Sequence, residues 1–270
     1  MATTTPSSSK SGYYPALSVA GKTCLVCGGT SGIGRAIALG LAQAGALVIA
    51  GSTNPQKVSA IREELGGGND AVQLDVSDEA SAKSAVDYVV KKFSRIDCVV
   101  NAAGVIKKQP SLEMPVAEFD RIVRVNLTGT FIIDQAAGRV MKEQTPDARG
   151  IRGAILNVAS LNSFISFSEV LAYASSKSGV LGLTRGLANE WAQYGIRVNA
   201  IAPGVFPTDL NRPLIEGTPR GQWLRQHTPM NRFGDAEELV GAAIYLLSPA
   251  ASFTTGETII VDGGFLAKAV

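Results

Sequence analysis

At 270 residues the chain is long enough for one large α/β domain or two smaller ones, and its 46 % of apolar residues supply a sizeable core. A net charge of +2, with the charges dispersed, excludes the basic footprint of a nucleic-acid binder, and no apolar run is long enough to span a membrane. The opening MATTTPSSSKS has no acids and is rich in Ser and Thr. Residues 1–18 therefore read as a disordered or extended tail, with organellar targeting as the alternative. No signal-peptide apolar core is present there, so the expected location is cytoplasmic.

Residues 22–28 (KTCLVCG) read as a buried strand, followed by a glycine turn and the helical pattern RAIALGLAQAG. Cys24 and Cys27 form a C-x-x-C, but residues three apart on a strand face opposite ways, so neither a disulfide nor a metal site is expected. Both, with Cys98, read as buried small hydrophobes. The turn, Gly28-x-x-x-Gly32-x-Gly34, joins a strand to a helix N-terminus, an arrangement that suits a dinucleotide phosphate. ALVIAG (46–51) is a second strand. An acid at its end would bind the adenosine ribose hydroxyls and repel a 2′-phosphate. Ser52, Thr53 and Asn54 stand there instead, with Arg35 and Lys57 available, so NADP(H) is favoured and NAD(H) tolerated.

PQKVSAIREEL (55–65) is an amphipathic helix and DAVQLDV (70–76) a third strand. A helix over 77–93 takes Ser77 as its N-cap. IDCVVNAAG (96–104) is a fourth strand, with Asn101 expected to tie strand ends together. A long helix spans about 115–142 and contains Asn126, followed by an exposed polar loop over 142–153. AILNVAS is a buried strand ending at Ser160, and a helix over about 169–194 carries Tyr173 and Lys177 one turn apart on the same face. An ammonium so placed is expected to lower the phenol pKa from near ~10 and make it a useful acid or base. GIRVNAIAPG (195–204) is a further strand. Residues 205–232 lack periodicity, carry four prolines and read as a substrate lid. Arg212, Arg220 and Arg225 could receive an acidic substrate there, and His227 is given a structural role. A helix over 235–248 and a strand over 257–264 complete the chain. Alternating strands and helices imply an α/β fold, a Rossmann-type doubly wound sheet of about seven parallel strands in a single domain over 19–270.

The segments CGGTSGIG, NAAG, VNLTG, the Ser160–Tyr173–Lys177 set, APG and VDGG occur in the order found in the short-chain dehydrogenase/reductase superfamily, which the chain resembles from about Gly21 to its end. The resemblance implies hydride transfer between a nicotinamide and a carbonyl or carbinol carbon. It assigns catalysis to Asn126, Ser160, Tyr173 and Lys177, with Asn126 holding a relay water. Cofactor contacts are implied for Gly28, Thr30, Ser31, Gly32, Ile33, Gly34, Ser52, Thr53, Asn54, Asp75, Val76, Asn101, Ala102, Ala103, Gly104, Tyr173, Lys177, Pro203, Gly204, Phe206 and Thr208. Substrate contacts fall on Ser160, Asn162, Tyr173, Val205 and Arg212, and no metal is expected. From the lid to the tail the pattern is similar to gluconate-type and other sugar-acid or polyol dehydrogenases. A 3-oxoacyl-carrier-protein reductase or a broad ketone reductase is the alternative, with Phe164, Ile165, Phe167 and Phe206 lining an apolar pocket. A non-enzymatic NADP(H) sensor is the third reading. The resemblance also implies a homo-oligomer, a tetramer or dimer, joined through the C-terminal strand and tail.

Overall fold

A computed structural model describes residues 16–209 and 211–268; most of the expected N-terminal tail, one residue of the expected lid and the last two residues lie outside this range. The chain alternates β1 (Thr23–Cys27), α1 (Gly32–Gln43), β2 (Leu47–Ser52), α2 (Pro55–Leu65), β3 (Asp70–Gln73), α3 (Glu79–Phe93) and β4 (Cys98–Asn101). It continues with α4 (Val116–Val123), α5 (Gly129–Met141), β5 (Gly153–Val158), α6 (Leu171–Trp191), β6 (Ile196–Pro203), α7 (Arg212–Ile215), α8 (Pro219–His227), α9 (Val240–Leu247) and β7 (Thr258–Val261). All seven strands are parallel, in the order β3-β2-β1-β4-β5-β6-β7. The direction of winding reverses between β1 and β4, which opens a crevice above their carboxyl ends.

The strands read as continuous apolar runs because both faces of the sheet are covered. β1 shows the division. Cys24 and Val26 pack with Ile37 and Leu41 of α1, Val58 and Ile61 of α2 and Leu246 of α9. Leu25 and Cys27 face the opposite core, against Val86 and Val89 of α3, Ile133 of α5 and Leu187 of α6. Each large aliphatic side chain buried in this way contributes roughly 1.5–3 kcal/mol. The C-x-x-C thus sends its thiols to opposite faces, and all three cysteines are free and buried.

The structure shifts several expected boundaries. The helix after β3 is capped by Asp78, whose carboxylate accepts from Ser81 N at 2.8 Å, rather than by Ser77. Ser77 instead closes a turn on Asp75. The long helix expected over 115–142 is interrupted by a π-helical segment, Arg124–Thr128, which carries Asn126. Residues 205–232 are not irregular throughout. Thr218 caps α8 by accepting from Gly221 N, and Pro219 occupies its first turn, where a missing N–H costs nothing. Within α8, His227 stacks on Trp223 at 5.0 Å and lies 4.6 Å from the Phe265 ring, so it packs as an aromatic.

Candidate active site

The turn after β1 lets three backbones approach closely. Gly28 has φ +76°, and a Cβ there would lie 2.6 Å from Ala103 N. A Cβ on Gly34 would lie 2.2 Å from the Gly28 carbonyl oxygen, and one on Gly32 would lie 3.0 Å from Thr208 Cγ2. Ser31, the N-cap of α1, makes no side-chain cap, so the first-turn N–H groups are left for an anion. A cleft of about 670 Å³ opens in front of them, lined by Thr30, Ser31, Gly32, Arg35, Lys57, Thr208 and Arg212. The glycine cradle, uncapped helix and cation-bearing cleft fit a dinucleotide pyrophosphate.

At the end of β2, Asn54 Oδ1 caps α2 by accepting from Lys57 N at 3.0 Å, and Ser52 Oγ accepts from Asn54 N. Thr53 is exposed, and its carbonyl accepts from Gln73 Nε2. Arg35 is not free: its guanidinium is paired with Glu64 of α2. Asp75 is held by its turn with Ser77, and Val76 is buried in the core beside Gly129.

Deeper in, Asn101 Nδ2 donates to Asp134 Oδ1 at 2.6 Å and to Asn157 Oδ1 at 2.9 Å. Asn157 in turn donates to Asp134 and Thr184. The expected tie between strand ends is present, but its centre is an acid that sequence reading passed over. The available signal was a polar Asn157 inside an apolar strand. Burial pushes the Asp134 carboxyl up to about 8, against the opposing hydrogen bonds from Asn157 and Asn101. An unfolded carboxyl titrates near ~3.9. The folded chain therefore keeps a proton that the unfolded chain loses, and the stabilisation is complete below pH ~4 and declines until the folded group ionises. We expect the unfolding free energy to fall with rising pH between about pH 5 and pH 8, on the order of 1 kcal/mol per unit. Denaturant melts of the wild type and of Asp134→Asn will show it as a slope that the variant lacks; parallel curves would contradict it.

Beyond β4 the Ala102 N–H donates to Cys27 O, and the chain passes through Ala103 and Gly104. Asn126, fully buried, accepts from Val105 N at 2.8 Å and donates to Val105 O at 2.9 Å and Ser176 Oγ at 3.0 Å. The amide thereby holds the exit of β4 against α6. A Cβ on Gly104 would lie 3.4 Å from Asn126 Oδ1 and 3.8 Å from Lys177 Nζ, so these three groups meet.

Ser160 follows β5, and its Oγ accepts from Asn162 N at 3.2 Å. Asn162 is buried and braces the loop by accepting from Phe167 N. Lys177 Nζ donates to Val158 O at 2.6 Å and lies 5.9 Å from the Tyr173 ring centre. The expected lowering of the phenol by the ammonium is not what this geometry produces. Burial raises the Tyr173 pKa, and the Ser160 hydroxyl is the group that opposes it. Burial also pulls Lys177 down to about 8. Desolvation outweighs the pairing because the ammonium is tied to a backbone carbonyl rather than to the phenol oxygen.

The predicted substrate arginines do not gather. Arg212 lines the cleft beside Ser31 and is paired with Glu216, Arg220 bonds Ser168 O, and Arg225 is exposed. Val205 packs beside Leu161 and Phe265. Phe206 is buried in the α1/α2/α9 core, where it cannot join Phe164, Ile165 and Phe167 in one apolar pocket. Pro203 ends β6, Gly204 N donates to Val261 O, and Thr208 is held by Asn211.

Comparison with known proteins agrees with this geometry. Residues 28–266 match the family model described as enoyl-(acyl carrier protein) reductase. A D-threitol dehydrogenase of Mycolicibacterium smegmatis is 40 % identical over 251 residues, which cover 92 % of this chain and 94 % of that protein. The chain belongs to the short-chain dehydrogenase/reductase family. As a member it is an NAD(P)-dependent oxidoreductase that interconverts an alcohol and a carbonyl compound. A 2-dehydro-3-deoxy-D-gluconate 5-dehydrogenase of Formosa agariphila is 39 % identical over 254 residues, covering 92 % of this chain and 94 % of that one. The gluconate 5-dehydrogenase of Burkholderia cenocepacia, solved with NADP and tartrate, superposes with a TM-score of 0.87 at 35 % identity, covering 94 % of this chain and 98 % of that one. Among the described residues of this chain no helix is long and apolar enough to cross a membrane.

Proposed function

We propose that the chain interconverts a secondary alcohol and a ketone on a polyol or sugar acid, with NADP(H) favoured over NAD(H). The observation that carries this reading is the meeting of Lys177, Asn126 and Gly104 beside Tyr173 and Ser160, next to a glycine cradle at the carboxyl ends of β1, β4 and β5. A nicotinamide dinucleotide held by the glycine turn from Gly28 to Gly34 would supply or accept the hydride. Ser160 holds the reacting oxygen, and Tyr173 gives it a proton in reduction and removes one in oxidation. Lys177, charged below about pH 8, supplies positive charge behind the phenol. Asn126 fixes residues 104–105 against α6 and completes the proton path. Residues 205–232 act as the lid over the substrate.

The polyol and sugar-acid class is supported by the relatives named above. Following NADPH and NADH at 340 nm against panels of polyols, sugar acids, simple ketones and 3-oxoacyl thioesters tests it. Turnover is expected with the first two classes. Turnover confined to the thioesters would replace this substrate class, and none with any panel would make the chain a binder of NADP(H). We also read the enzyme as a cytoplasmic homo-oligomer, a dimer or tetramer. Three free thiols suit a reducing compartment, and Ile260 is exposed on the edge strand β7.

A further inference from the structure

We propose that Glu64 sets the preference between the two nicotinamide dinucleotides by competing with the 2′-phosphate for the guanidinium of Arg35. The proposal rests on reading the cleft in front of α1 as the dinucleotide site. Arg35 directly follows Gly34, and its Nε donates to Glu64 Oε2 at 3.0 Å while Nη2 bonds the other carboxylate oxygen. Both side chains are well exposed, at 42 % and 38 %, so the pair is solvated and can exchange partners. On α2, Lys57, Ala60, Ile61 and Glu64 fall at helical spacings of three, four and seven and together line one wall of the cleft. Among the described residues no carboxylate lies within ion-pair distance of Lys57.

The segment after β2 contributes hydroxyls and an amide but no charge. The α1/α2 side of the cleft therefore offers two cations, one of them already committed. NADP(H) differs from NAD(H) by one phosphate that carries about −1.5 to −2 charge at neutral pH. A phosphate and a carboxylate are both suited to the planar guanidinium fork, and the same fork cannot serve both fully. With Glu64 present, a 2′-phosphate must displace the carboxylate or be held by Lys57 alone. An unphosphorylated ribose faces no such competition.

Fluorescence titration of NADPH and NADH should be carried out on the wild type, Glu64→Gln, Arg35→Gln and the double variant. Glu64→Gln is expected to tighten NADPH by about three- to tenfold relative to NADH. The gain should vanish in the double variant. An unaltered ratio in Glu64→Gln, or a gain that survives removal of Arg35, overturns the proposal while leaving the cleft assignment intact. Failure of the wild type to bind either dinucleotide overturns both.

Discussion

Tyr173→Phe is expected to abolish turnover, lowering kcat by about a thousandfold, while NADPH binds as in the wild type. The substitution removes one oxygen and leaves a half-buried ring that fills the same space at the start of α6. Lys177 donates to Val158 O, and Asn126 bonds Val105 and Ser176, so in the proposed mechanism both act through Tyr173. Because burial raises the phenol, it is protonated at neutral pH and ready to donate in the direction of reduction. Oxidation needs the deprotonated form, so the oxidation rate should climb with pH through the alkaline range while reduction declines. Steady-state kinetics in both directions, paired with a fluorescence titration of NADPH, separates loss of chemistry from loss of binding. A variant within tenfold of the wild-type kcat would refute the role given to Tyr173.

Gly34→Ala is expected to damage the fold and the cofactor site together. The added methyl would lie 2.2 Å from the Gly28 carbonyl oxygen and 3.1 Å from Ala102 Cβ, so it cannot be accepted by rotating a side chain. The turn from Gly28 to Gly34 must move, and with it the N–H groups at the head of α1. A loss of about 2–4 kcal/mol in unfolding free energy is expected, with NADPH affinity falling by about a hundredfold. Gly182 in α6 is the comparison. A Cβ there meets nothing within 4 Å, so Gly182→Ala should be neutral or stabilising by up to ~1 kcal/mol through helix propensity. Urea denaturation and NADPH titration of the two variants give the contrast, and equal stability of Gly34→Ala and wild type would contradict it.

Much of the architecture was legible before any coordinates. Strands buried on both faces must be apolar throughout, amphipathic helices must repeat near every third or fourth residue, and a glycine turn between them has few uses. Those local rules located the seven strands, the cofactor turn and the Tyr173–Lys177 spacing. Side-chain partners were not legible in the same way. Asn126 bonds Val105, Lys177 reaches Val158, Arg35 is taken by Glu64, and Arg212, which lines the cleft in front of α1, pairs with Glu216. Each of the first three pairs lies 19 or more residues apart in the chain. The Tyr173 environment lies beyond local spacing for the same reason: helical spacing sets the ring and the ammonium on one face, but the depth of burial sets the direction of the phenol pKa. The amino-acid order alone determined the parallel α/β sheet, the glycine turn between β1 and α1 and the spacing of Tyr173 and Lys177 on one helix. Only the packed chain decided which charges are neutralised and how far each group is desolvated, because both depend on neighbours brought together across the sheet.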